Sequence, residues 1–326
     1  DSLTDGTQAY LIVTSSAVSN DPNYDGLVVA DVAMTNVDDD APGVTVQPTT
    51  GQTSEDGVTA TFEMFLNSQP QSDVVIDITS SDIFEGTVSP STVTFTPNDW
   101  DDPQTITATG QDDDVADGNT AYTIVTSLAV STDPNYSGRA VADVSMTNLD
   151  NDFAGILVEP TTGETSEDGT SASFLISLTS RPQSNVTVTL SSSDITEVFV
   201  TNPSVVFTPE TWATPLKVTV FGQDDDTADG NMPYSIITAP ATSSDAAYQG
   251  RDPADVSIIN LDDDFAGISV QPLTGQTTEA GGVMTFSVVL ESRPTSEVTI
   301  PVTSSDPSEG IPTPSQVTFS PETWNT

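Results

Sequence analysis

Residues 58–66 read VTATFEMFL, and their apolar side chains fall on every second position. Val58, Ala60, Phe62, Met64 and Leu66 therefore share one face of an extended strand, because side chains alternate across a strand with period two. The frame returns as Ala172, Phe174, Ile176 and Leu178, then as Met284, Phe286, Val288 and Leu290. Around it lie further alternating stretches: VVIDIT (74–79), VTFTP (93–97), QTITATG (104–110), AYTIVT (121–126) and ADVSMTN (142–148). Thr and Val fill these stretches, Pro and Gly punctuate them, and none carries the 3.6-residue period of a helix.

The frame recurs because the chain does. Gly43, Gly155 and Gly267 stand 112 residues apart, and Trp100, Trp212 and Trp324 keep the same spacing without an insertion. A long internal period marks a repeat architecture. Four segments follow: the end of one repeat (1–40), two complete repeats (41–152 and 153–264), and the front of another (265–326). Both ends cut through a repeat, and neither shows a leader or an anchor, so the chain reads as a window on a longer array. Seven strands are expected per repeat, at about 44–49, 58–66, 74–81, 92–97, 104–110, 121–130 and 140–149. The predicted fold is all-β: tandem immunoglobulin-like seven-stranded β-sandwiches. If strands alternate in direction, the chain enters and leaves each sandwich at opposite poles, which predicts a linear rod.

Composition narrows the function. Only five Lys plus Arg face 49 Asp plus Glu, for a formal net charge of −44, and His and Cys are absent. Nucleic acid and anionic membranes demand basic patches, so neither is expected as a partner. No apolar run approaches the roughly 18 residues of a membrane span. Without Cys there are no disulfides, and a single lysine, Lys217, leaves no repeated Lys–Asn crosslink. Stiffness must come from packing or from bound ions. So acidic a surface suits surroundings rich in cations, where screening is strong, and an extracellular or cell-surface location is expected.

Alternating strand directions place the acids. Glu55, Asp82, Glu85, Asp112, Asp113, Asp114, Asp117, Asp150 and Asp152 all fall in loops at the pole where the chain leaves the repeat. The second repeat supplies Glu167, Asp194, Glu197, Asp224, Asp225, Asp226, Asp229, Asp262, Asp263 and Asp264, and the first segment ends on Asp38, Asp39 and Asp40. At the other pole, Asp99, Asp101 and Asp102 become Thr211, Ala213 and Thr214. Carboxylates gathered this closely raise one another's pKa unless a counter-charge sits among them. A hard dication with six to eight oxygen ligands resolves the repulsion, and ligands drawn from several flexible loops favour Ca2+ over octahedral Mg2+. Zinc and copper lack their preferred thiolate and imidazole donors. The bland reading of each motif stays open: ADGN is a common Asp-Gly turn, SEDG a hairpin turn, and an acidic triplet a solvated linker. Recurrence of four such segments in register is what points to an ion.

A Glu-bearing first turn, an acidic loop at 111–119, and a last strand ending in DND (150–152) or DDD (262–264) together resemble the Calx-β domain. That resemblance implies a Calx-β-like sandwich whose loops bind calcium, with Glu55, Asp82, the acids at 112–117 and Asp150–Asp152 as ligands. The chain departs from the family where SSD and EG stand at 81–86 and where Asp replaces Glu in the 111–119 loop. The long bacterial surface-protein versions, with PTTG, SSD and FTPETW, are the nearest in motif.

The expected function is a calcium-stiffened structural segment of a secreted or surface protein, such as an adhesin stalk, a sheath or an extracellular filament. Its partners would be neighbouring repeats and other copies of the chain. The alternatives are a calcium-sensing or a carbohydrate-binding module. Catalysis is not expected, because near-identical copies without a cleft-forming insertion offer no differentiated active site. Arg139, Arg181, Lys217, Arg251 and Arg293 all fall towards the less acidic pole, where they would help seat one repeat on the next or simply keep loops soluble. The tryptophans read as plugs on the core, Tyr122 and Tyr234 as tyrosine corners, and DPNY (133–136) as a Pro-led turn.

Overall fold

A computed structural model describes residues 1–325 of the chain. Two compact units emerge, Asp1–Asp152 and Phe153–Thr326. The first opens with an antiparallel hairpin, β1 (Gln8–Ile12) and β2 (Val32–Asn36). A complete sandwich follows: β3 (Val44–Gln47), β4 (Thr50–Ser54), β5 (Thr59–Leu66), β6 (Val74–Ser80), β7 (Gly86–Ser89), β8 (Thr92–Phe95), β9 (Gln104–Gly110), β10 (Thr120–Thr126), β11 (Val130–Ser131) and β12 (Val144–Leu149). One sheet has the order β3-β5-β9-β7; the other has the order β11-β6-β10-β12-β4, with β8 also paired to β6. All these pairings are antiparallel except β4 with β12.

The seven passes along the sandwich become ten strand segments, for a local reason. A single strand was expected at 44–49, but the chain changes sheets at Pro48: β3 pairs with β5 while β4 pairs with β12. A second change falls at Pro90, between β7 on β9 and β8 on β6. Proline lacks the N–H that a ladder needs, so it stands where one sheet is left for the other. The second unit builds the same sandwich 112 residues later, from Ile156–Glu159 to Val256–Leu261, with the same sheet order. Beyond it, Ile268–Gln271 pairs with Ser287–Leu290, and Val298–Pro301 with Gln316–Phe319.

Between the sheets of the first sandwich, Phe62, Met64, Leu66, Ile76, Ile78, Phe95, Ile106 and Ile124 pack together with almost no exposure. The alternating face of 58–66 thus buries its last three members, while Val58 stays exposed beside the turn at 55–57. Trp100 is half-buried against this core. The tyrosine corners expected at Tyr122 and Tyr234 are not formed. Tyr136, fully buried, donates its hydroxyl to Ser68 O at 2.6 Å and accepts from Ser68 N at 3.2 Å; Tyr248 does the same at Ser180. Tyr122 and Tyr234 instead reach threonine side chains.

Hydrogen bonds collect four loops at one pole. Glu55 N donates to Leu149 O at 3.1 Å, Gln111 N to Glu85 O at 3.1 Å, and Asn148 Nδ2 to Gln111 O at 2.9 Å.

Candidate metal centre

The last strand of each repeat runs into an acidic triplet, and its first member is the frame of the site. Asp150 Oδ2 accepts from Gly118 N at 2.6 Å and Oδ1 from Asp152 N at 2.7 Å. Asp262 repeats this with Gly230 and Asp264, and Asp38 with Gly6 and Asp40. The glycine of ADGN is needed here, since Gly118 and Gly230 sit at φ +83°, where a side chain would be strained. One carboxylate thus ties the 111–119 loop to the end of the last strand. Within that loop, Asp113 Oδ1 accepts from Val115 N and Asp225 Oδ1 from Thr227 N, both at 2.6 Å.

Over this frame, three carboxylates converge in the first sandwich: Glu55, Asp150 and Asp152. In the second, Glu167 converges with Asp262 and Asp264, and also with Asp224 and Asp263. Within each group the ligand oxygens lie within 4.8 Å of one another. Oxygens that share one Ca2+ at about 2.3–2.6 Å stand at most about 5 Å apart, so the span fits a single ion. Glu55 is 9% exposed and Glu167 7% exposed. Glu167 Oε2 and Asp264 Oδ2 are buried with no hydrogen-bond partner. A buried carboxylate oxygen without a donor is costly, and a cation held among these oxygens could offset that cost.

The electrostatics agree. Burial, reinforced by the charges of Asp150, Asp113 and Asp152, pushes the Glu55 carboxyl up to about 7. Burial, with Asp262 and Asp225 beside it, does the same for Glu167. Asp152 and Asp264 are also raised, chiefly by burial and then by their acidic neighbours, which include Asp112 and Asp114 for the first and Asp224 and Asp226 for the second. Along the 111–119 loop the pKa values of Glu85 and Asp117 are also raised, chiefly by desolvation and with Asp113 acting on both, and likewise those of Glu197 and Asp229, with Asp225.

Of the sequence candidates, Glu85, Asp112, Asp113, Asp114, Asp117, Glu197, Asp225, Asp226 and Asp229 lie outside the converging groups, as do Asp82 and Asp194. Asp82 Oδ1 accepts from Phe84 N at 3.0 Å, and Asp194 Oδ1 accepts from the amide and hydroxyl of Thr196 at 2.9 and 2.6 Å. Both shape their own turn, and those hydrogen bonds hold the Asp194 pKa low. In the first segment, Asp38 is likewise lowered by the amides of Asp40 and Gly6, and Asp39 is exposed.

The sequence reading missed a buried polar layer beneath the acids. Asn148 and Asn260 are 1% exposed, on the inward face of the last strand. Their signal was legible: in VSMTN the amide occupies the same alternating frame as Val144 and Met146.

The same loops reach the next repeat within each unit. Gln69 N donates to Ser2 O at 2.7 Å, and 224 residues later Arg293 N donates to Asp226 O at 2.5 Å. A backbone bond from the acidic loop therefore joins the successive repeat in both places. Among the described residues, the arginine side chains brace their own repeats: Arg139 Nε on Asn135 O, Arg251 Nε on Ala247 O, and Arg293 Nε on Pro321 O.

Fold and site together define a class: tandem all-β sandwiches, each with an acidic pole whose carboxylates could hold a hard cation. The chain is similar to the crystal structure of CBD12 from CALX1.2, at 12% identity and TM-score 0.32, over 66% of this chain and 98% of that one. It is also similar to the apo-form Calx CBD1 domain (16%, TM-score 0.28, 34% of this chain and 99% of that one) and to the periplasmic chaperone SfaE (13%, 0.28, 66% and 99%). No family model matches the chain, and no curated protein sequence does. The strand order, rather than these likenesses, defines the sandwich.

Proposed function

We propose that the chain is a calcium-binding structural segment of a secreted or cell-surface protein, an adhesin stalk, sheath or filament, in which Ca2+ at each acidic pole fixes a repeat against its successor. The observation that carries this reading is the pair of buried, partnerless oxygens, Glu167 Oε2 and Asp264 Oδ2, set in one group of converging carboxylates. Glu55, Asp150 and Asp152 would hold the ion in the first sandwich, and Glu167, Asp262 and Asp264, with Asp224 and Asp263, in the second. When bound, the ion supplies the positive charge that this surface lacks. Asp226 supports the link to the next repeat: its carboxylate acts on Asp264 in the site, while its carbonyl accepts from Arg293 N. A repeated spacer without catalysis fits two sandwiches that carry the same acids in the same places. The test is thermal melting of the full chain in millimolar Ca2+ and in chelator. A large rise with calcium is expected; coincident melting curves would overturn the reading.

A further inference from the structure

Beneath the acidic pole of both sandwiches runs a buried chain of hydrogen bonds joining Tyr122, Thr53 and Asn148 in the first, and Tyr234, Thr165 and Asn260 in the second. Its proton order is fixed by chemistry. The carbonyl oxygen Asn148 Oδ1 can only accept, so Thr53 Oγ1 donates to it, at 2.9 Å; the hydroxyl, its one proton committed, accepts from Tyr122 OH at 3.1 Å. The Thr165, Asn260 and Tyr234 distances are the same. The backbone carbonyls of Gln111 and Gln223 can only accept, so they fix the NH2 towards the acidic pole, and the threonine hydroxyl supplies the donor that the amide oxygen needs at the other end. Asn148 Nδ2 donates to Gln111 O at 2.9 Å, and Asn260 Nδ2 to Gln223 O and Glu197 Oε2, both at 3.3 Å.

The amide is closely packed: a Cβ at Gly110 would stand 2.4 Å from Asn148 Oδ1 and from Ser54 O, and one at Gly222 would meet Asn260 Oδ1 and Ser166 O at the same distance. Thr53 and Thr165 are 0% exposed, and Glu197 only 6% exposed. Neither threonine belongs to a converging carboxylate group, so each acts on the site through the amide it holds.

We propose that Thr53 and Thr165 are positioning residues for the cation site: by donating to the asparagine oxygen they hold the amide whose NH2 anchors the 111–119 and 223–231 loops at Gln111 and Gln223, and so keep the acids of those loops, Asp224 of the second site among them, in the geometry that receives the ion. This rests on the calcium reading above but assigns a role to residues that touch no ion. Outer partners of this kind commonly change metal affinity by about tenfold or more when removed.

The test uses the full chain with both threonines changed to valine (T53V/T165V), which keeps the shape and removes the donor, and both changed to serine (T53S/T165S), which keeps the donor. Ca2+ affinity is measured by calorimetry, and melting in chelator is measured in parallel. The expected result is roughly tenfold weaker calcium binding in the valine variant and wild-type affinity in the serine variant. Wild-type affinity in the valine variant overturns the proposal, even if its melting temperature in chelator has fallen, because the threonine is then structural only. Equal weakening in both variants also overturns it. If the wild-type chain binds no calcium at all, the calcium reading itself fails, an outcome distinct from either of these.

Discussion

Each sandwich carries buried carboxylates at both poles, and in the second sandwich the two sets behave oppositely. At one pole Asp133 is 2% exposed, yet both its oxygens are partnered: Oδ2 accepts from Gln71 N at 2.7 Å and Oδ1 from Asn135 N at 2.8 Å. Asp245 repeats this with Gln183 and Ala247. At the other pole Glu167 is 7% exposed and one oxygen has no partner. Burial alone therefore does not mark an ion site. What separates the two poles is whether the backbone has already supplied the donors.

The largest expected effect of that difference is on stability with and without calcium. A ligand at a hundred times its Kd adds about 2.7 kcal/mol, which for domains of this size corresponds to a rise in Tm on the order of 10 °C. Melting in chelator against saturating Ca2+ measures it. Asp133→Asn comes next. It places an NH2 against a backbone N–H and should cost about 1–3 kcal/mol, equally with calcium and with chelator. Glu55→Gln and Glu167→Gln should do something no ordinary core change does. In chelator they remove a buried like charge and raise Tm; in calcium they remove a ligand and lower it.

The pH dependence should be smaller and have a definite sign. Glu55 and Glu167 are raised from 4.5 to about 7 in the folded chain. The folded state holds those protons more tightly than the unfolded state, so their contribution is fully present below about 4.5 and is lost as pH rises through about 7. Melting in chelator should therefore fall between pH 5 and pH 8, and saturating calcium should flatten that slope. The smallest effect is expected for Asp99→Thr. Asp99 Oδ1 caps Thr96 through its amide at 2.6 Å and its hydroxyl at 2.8 Å, and Thr211 Oγ1 already does that work at Thr208 in the second sandwich. A change within about 0.5 kcal/mol, checked by chemical denaturation, is the expectation.

Much of the fold was legible because strand period and repeat period are both written in apolar spacing. Phe62, Met64 and Leu66 alternate, and they are buried. The sheet changes at Pro48 and Pro90 were not legible as such, because a proline says only that a ladder bond is missing, not which sheet receives the chain next. The acids could be counted but not ranked. Asp82 and Asp113 look alike in sequence, and each accepts from the amide two residues on; only folding shows that Asp82 acts on Glu85, while Asp113 acts on Glu55, Glu85, Asp117 and Asp152. Tyr122 was misplaced for a related reason: spacing does not say whether its hydroxyl meets nearby backbone or the side chain of Thr53. The atoms that join one repeat to the next were not legible either: within the units these include Gln69 N on Ser2 O, Arg293 N on Asp226 O, Asn135 Nδ2 on Thr4 O and Thr4 Oγ1 with Ser68 Oγ.

The most direct test is a calorimetric titration of calcium into the chelator-stripped full chain, alongside Glu55→Gln/Glu167→Gln and Asp133→Asn. The account predicts saturable binding of at least one ion at the acidic pole of each sandwich, much weakened in the glutamine variant and unchanged in Asp133→Asn. No saturable binding, or wild-type binding in the glutamine variant, would contradict it.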